Sequence, residues 1–131
     1  MNKILIEVSA GELFDKISIL KIKKTKIKDK AKLGDIDREL KSLNKTLKKN
    51  KLDKIDGFLA GCVKELTNIN FDLWEIEDLK RKYEKNKDFG KRFIKVSRAV
   101  HFKNDRRAEV KHQINVHTDS IISEVKQYTS Y

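Results

Sequence analysis

The chain has 131 residues, 38% of them hydrophobic and 39% charged, with no proline and five glycines. That composition suits one domain and excludes a collagen-like chain, a Pro/Gly-rich disordered tail and a turn-rich β-sandwich. Thirty-one basic against 20 acidic residues give a net charge of +11, which would suit an anionic partner, whereas no apolar run approaches the ~20 residues of a membrane helix.

Ile4-Leu5-Ile6-Glu7-Val8 is β-prone and is expected either to pair as a short strand or to lie extended. Ser9-Ala10-Gly11-Glu12 then fits the capping box, in which Ser9 accepts from the Glu12 N–H and Glu12 reaches back to the Ser9 N–H. The spacing predicts a first helix over 9–29 carrying Leu13, Ile17, Leu20 and Ile27, with Ile19 and Ile22 outside the stripe. A break near Asp29 to Gly34 precedes a second helix over 35–49, where Ile36, Leu40, Leu43 and Leu47 step by four, three and four.

The third pattern is longer. Ile55, Leu59, Cys62, Leu66, Ile69, Leu73, Ile76 and Tyr83 hold a heptad seam that predicts a helix over 55–86. After a turn at Asn86 to Gly90, Phe93, Val96, Val100, Val110, Ile114, Ile121, Val125 and Tyr128 extend the same register over 90–128. Short connections between long amphipathic helices favour antiparallel neighbours. The expectation is a single all-α domain over 1–131 with a short extended N-terminal segment. Its long antiparallel helical hairpins would form a coiled-coil-like bundle, and narrow stripes leave seams that a second copy would cover in a homodimer.

The charge is uneven. Residues 1–54 carry 16 basic and 8 acidic side chains, and residues 55–131 carry 15 and 12. A polyanion contact is therefore expected first at the Lys21, Lys23, Lys24, Lys26 and Lys28 run. Against that, 25 of the basic residues are lysine and six are arginine, a mixture that AT-rich codons also produce. Arginine binds phosphate bidentately and is the residue a phosphate grip would favour. One cysteine, Cys62, cannot form an intramolecular disulfide and sits among apolar neighbours as a core residue. Met1 to Val8 lacks the long apolar stretch of a signal peptide, so a cytoplasmic location is expected.

The last seam fails in its middle, where Lys103 and Arg107 fall on apolar positions inside Lys103-Asn104-Asp105-Arg106-Arg107. With a turn near residue 88, this run lies opposite Asn68, Asn70 and Asp72, and Arg98 lies near Glu77 and Asp78. Two polar interruptions at one level predict a buried or half-buried polar layer that fixes register. The sharper alternative is an anion-binding pocket between helices, with Arg98, Arg106 or Arg107 as donors and Lys111 nearby. His101, Asp105, Glu109 and His112 share helical spacing, yet one helix face rarely encloses an ion and the H-E-x-x-H spacing is absent. No phosphate-loop, dinucleotide-binding or nucleophile-elbow motif is present, so no cofactor is implied.

Glu7-Val8-Ser9-Ala10-Gly11-Glu12-Leu13-Phe14-Asp15-Lys16 with Ile19 to Lys23, then Leu73-Trp74-Glu75-Ile76-Glu77-Asp78, then Arg98-Ala99-Val100 with Asn104 to Ala108, Lys111 and Ile114-Asn115 are three separated motifs. Together they resemble the EVS-x-GEL-x-DK, LW-x-IED and RAV-x-x-x-NDRRA-x-x-K-x-x-IN segments of a family of small bacterial and phage proteins with no established activity. The resemblance spans nearly the whole chain and implies no mechanism. Three functions compete on the sequence. The first is a non-enzymatic helical binding or assembly module, and the second a nucleic-acid-binding accessory protein using the Lys-rich first hairpin. The third is an all-α enzyme with a cationic interhelical pocket, in the manner of helical chorismate mutases.

Overall fold

Side-chain caps set where three of the helices begin. In the computed structural model, which describes residues 2–131, helix α1 (Ala10–Lys26) starts at Ser9, whose Oγ accepts from the Glu12 N–H at 3.1 Å. The capping box is only half made. The Glu12 carboxylate turns to the Lys111 ammonium at 2.7 Å instead of back to Ser9, because a charged donor outcompetes a neutral one.

Helix α2 (Lys30–Lys49) is capped by Asp29, whose Oδ1 accepts from the Lys32 N–H at 3.0 Å. It thus begins at Lys30 rather than at residue 35. Gly34, which reads as a breaker in the sequence, lies inside the helix. Helix α3 (Gly57–Lys85) is capped by Asp56 at the Leu59 N–H, 2.8 Å away. Helix α4 (Lys91–His117) follows Gly90 without a side-chain cap. The described residues contain no strand, and Ile4, Leu5 and Ile6 are exposed.

Helices α2, α3 and α4 end in the same way. Lys51, Lys87 and Asp119 take φ of 58°, 53° and 55°. The N–H groups of Leu52, Asp88 and Ser120 return to the carbonyls of Leu47, Tyr83 and Asn115. This is the Schellman arrangement, made here without the usual glycine. The third of these turns corrects the sequence expectation of a helix running to residue 128. Ile121, Val125 and Tyr128 keep the seam spacing but are 100%, 90% and 76% exposed. Instead of extending α4, the tail folds back along it, with Ser123 near Asn115, Glu124 at Lys111 and Tyr131 hydrogen-bonded to Asp105.

Helix α1 is central, packing against α2, α3 and α4, whereas α2 rests on α1 alone. That sandwiched position explains why Leu13, Phe14, Ile17, Leu20 and Ile22 are all buried. Ile22, outside the expected stripe, is needed by the second contact face, while Ile27 ends up half-buried at the helix terminus. Phe14 joins Leu59, Cys62, Leu66 and Ile69 of α3 with Val110 and Ile114 of α4 in the core. Burial raises the Cys62 thiol pKa, and the Glu65 carboxylate adds to this.

Side chains link α3 to α4 at Asp56 with His117, Cys62 with Gln113, Glu65 with Arg106 and Asp72 with Lys103. Burial along this pair is graded. No residue between Asn70 and Val110 is buried, and Leu73, Ile76, Tyr83, Phe93, Val96 and Val100 are half-buried. No helix among the described residues is long and apolar enough to cross a membrane.

Candidate functional site

Beside its apolar stripe, α1 carries Gly11, Asp15, Ser18 and Ile22 at spacings of four, three and four, and all are buried. The Asp15 side chain is 1% exposed. A carboxylate so buried must be paired, since the desolvation of a lone charge costs several kcal/mol. Arg107 supplies a two-pronged contact, Nε to Oδ1 at 3.0 Å and Nη2 to Oδ2 at 2.5 Å. Asn70 Nδ2 donates to Asp15 Oδ1 at 2.8 Å and to Ser18 Oγ at 2.7 Å. Lys111 Nζ lies 3.8 Å from Asp15 Oδ2 and is held by Glu12 at 2.7 Å and Glu124 at 3.0 Å. One carboxylate on α1 therefore gathers α3, α4 and, through Lys111, the tail.

Burial alone would lower the pKa of both cations. For Arg107 the Asp15 hydrogen bonds and the Asp15, Glu12 and Glu124 charges outweigh it, and its pKa is raised. For Lys111 burial again comes first, but the Glu12 and Glu124 hydrogen bonds and the Asp15 charge raise the net value. Lys111 hydrogen-bonded to Glu124 in turn lowers that carboxyl.

At the start of α1 the helices nearly touch. The Gly11 N–H donates to Asn115 Oδ1 at 2.7 Å, and a Cβ on Gly11 would lie 2.5 Å from the Lys111 carbonyl oxygen. Gly11→Ala should therefore push α1 off α4 and destabilise by about 1–3 kcal/mol, the usual cost of overpacking. Urea unfolding of the variant measures it. A loss below about 0.5 kcal/mol, ordinary for a surface substitution, would show that the crossing is not tight.

The sequence-predicted residues separate into several settings. Asn70, Arg107 and Lys111 meet at Asp15, so the polar layer joins three helices rather than two. Asn104 Oδ1 accepts from Arg107 Nη1 at 3.3 Å. Arg106 faces outward, bridging Glu65 and Glu109. Asp105 accepts from the Tyr131 hydroxyl. Arg98 stands over the Phe102 ring, 5.9 Å from its centroid, while Glu77 and Asp78 pair with Lys80 and Lys82 on their own helix. The expected proximity of Arg98 to Glu77 and Asp78 thus gives no ion pair among the described residues.

The basic run is also divided. Lys24 pairs with Asp37 at 3.0 Å, Lys26 pairs with Glu75 beneath the Phe71 ring, and Lys21 and Lys28 stay exposed. Lys23 lines an open cleft of about 500 Å³ with Ile19, Trp74, Glu77, Asp78 and Arg107. The three segments singled out in the sequence therefore share one cleft. Sequence reasoning missed Asp15, Glu12, Ser18 and Asn115 as parts of the tie. The signal was the second stripe of small and polar residues on α1.

The outward Arg106–Glu65 pair gives a pH test. The Arg106 hydrogen bond chiefly lowers the Glu65 pKa below its ordinary value. Stability from a depressed carboxyl is present above its unfolded pKa of about 4.3 and lost as pH falls through the folded value. Glu65→Gln should lower the unfolding free energy at pH 7, by at most about 1 kcal/mol because the pair is solvent-screened. At pH 3 the deficit should shrink. A deficit equal at both pH values would mean that the charge contributes nothing.

A search of curated proteins and of solved structures gave no match. A family model described as "Family of unknown function (DUF6165)" matches residues 4–131, and the chain therefore belongs to that family.

Proposed function

We propose that the chain is a non-enzymatic helical binding and assembly module. In this reading α3 and α4 form an antiparallel, coiled-coil-like arm, and the Asp15 tie holds the arm on a base made with α1 and α2. The carrying observation is the graded seam: Leu73, Ile76, Phe93, Val96 and Val100 line up along the arm, yet each remains half-buried. Two helices alone cannot cover such a seam, and a second copy laid against it would. The opposite order of the partners Asp56–His117 through Asp72–Lys103 along the two helices supports the antiparallel reading.

The cations near the tie favour a structural role for it over a pocket. Arg106 and Arg107 are directed at Glu65 and Asp15, so an incoming anion would compete with the chain's own carboxylates. Sedimentation equilibrium of the wild type and of an Ile76→Glu, Val96→Glu variant tests the assembly. The wild type should approach twice its 15.4 kDa mass, and the variant should return to the single-chain mass with its helicity retained. A wild type monomeric across the micromolar range would remove the second copy from this reading.

A further inference from the structure

The free positive charge of the second hairpin lies at its tip. Residues 79–102 carry nine basic side chains against two acidic ones, whereas residues 55–78 carry one against six. Within the tip, Lys80, Lys82 and Lys87 are engaged with carboxylates of α3. Arg81, Arg92 and Arg98 are exposed and, among the described residues, are the arginines that make neither an ion pair nor a side-chain hydrogen bond. Arginine is scarce in this lysine-rich chain, and the other three are committed to Asp35, Glu65 and Asp15. The three without a carboxylate partner all fall within residues 79–102, where the second hairpin's positive charge is densest, and Arg98 rests over the Phe102 ring. On α4, Arg92 to Arg98 spans about 9 Å of helix axis at 1.5 Å per residue.

An exposed aromatic ring lies in the turn, close in sequence to Lys87, Lys91 and Arg92. Phe89, in the turn between α3 and α4, is 50% exposed and is braced edge-on by Phe93, with centroids 5.4 Å apart and planes at 78°. We propose that the tip of the α3/α4 hairpin binds single-stranded nucleic acid, with Arg81, Arg92 and Arg98 on phosphates and Phe89 as a stacking platform. The planar guanidinium matches phosphate oxygens, and a braced ring suits an unpaired base, which a duplex keeps stacked. The alternative surface, an anionic membrane, wants a continuous apolar face to insert. Here the exposed Ile94 and Phe102 share their groove with Lys91, Lys95 and Arg98.

This inference goes beyond the assembly reading, since a monomer presents the same tip, and it moves the polyanion contact away from the first hairpin. The test is fluorescence anisotropy with a labelled 20-nucleotide single strand at two salt concentrations. The variants are Arg81→Gln/Arg92→Gln/Arg98→Gln and a charge-matched control, Lys21→Gln/Lys28→Gln/Lys41→Gln. All six positions are exposed, and circular dichroism verifies folding. Removing three phosphate contacts should flatten the salt slope by about 2. Phe89→Ala should weaken the single strand roughly tenfold and leave a duplex unchanged. Equal losses in the two triple variants would make the contact one of overall charge and overturn the proposal. So would a duplex bound as tightly as the single strand, or binding confined to vesicles containing anionic lipid.

Discussion

Asp15→Asn is expected to destabilise the protein by about 3–5 kcal/mol, the range for removing one partner of a buried ion pair. The substitution keeps the volume and removes the charge. Arg107 and Lys111 would then lose the carboxylate that offsets their burial, and the Asn70 amide would face another amide in place of a full acceptor charge. Lys111 retains Glu12 and Glu124, so Arg107 should carry most of the loss. Arg107→Met in the Asp15→Asn background separates the two contributions. If the cost is mainly that of an uncompensated guanidinium, the double variant should recover part of the stability. Urea unfolding at pH 7 reads both. A single-variant loss under about 1 kcal/mol, the range of an exposed pair, would place Asp15 outside the stabilising tie.

The legibility of this chain follows from the range of its interactions. The start of α1 depends on Ser9 and Glu12, three residues apart, and the sequence displays it. The seam of α3 and the beginning of α4 likewise follow local spacing. The end of α4 does not. Ile121, Val125 and Tyr128 satisfy the periodicity, but the left-handed Asp119 turns the chain back and all three stay exposed. Periodicity states which face would be buried, not whether anything is there to bury it.

The polar tie divides along the same line. The interruption at Arg107 marks a polar layer on α4, and Asn70 marks its level on α3. Their shared carboxylate, however, lies on α1, 92 residues before Arg107 and 55 before Asn70. An aspartate followed by a lysine near a helix start reads as an exposed charge. Only its place in the Gly11, Asp15, Ser18 stripe distinguishes it. The net charge of +11 likewise does not say which cations are paired within the chain. Residues 1–54 have the greater excess, but Asp37 and Glu75 engage two of their lysines, while among the described residues the exposed Arg81, Arg92 and Arg98 make no ion pair.

The graded core predicts two different costs for the same substitution on one helix. Leu66, with no exposed surface, lies between Val110, Ile114 and Phe14 in the core cluster. Leu66→Ala should cost about 2–5 kcal/mol, combining lost transfer energy with the cavity left behind. Leu73 occupies the next seam level but one and is only half-buried. Leu73→Ala in the isolated chain should therefore cost less, about 1–2 kcal/mol, since part of its surface already faces water. Assembly changes that second figure and leaves the first alone. If a second copy covers the arm, the cost at Leu73 should rise with protein concentration, because the partner stabilises the folded state by mass action. Urea unfolding of both variants at two concentrations a hundredfold apart resolves the two effects. A Leu73→Ala cost that matches Leu66→Ala even at the lower concentration would mean that the seam is closed within one chain. The arm would then have no unfilled face to offer.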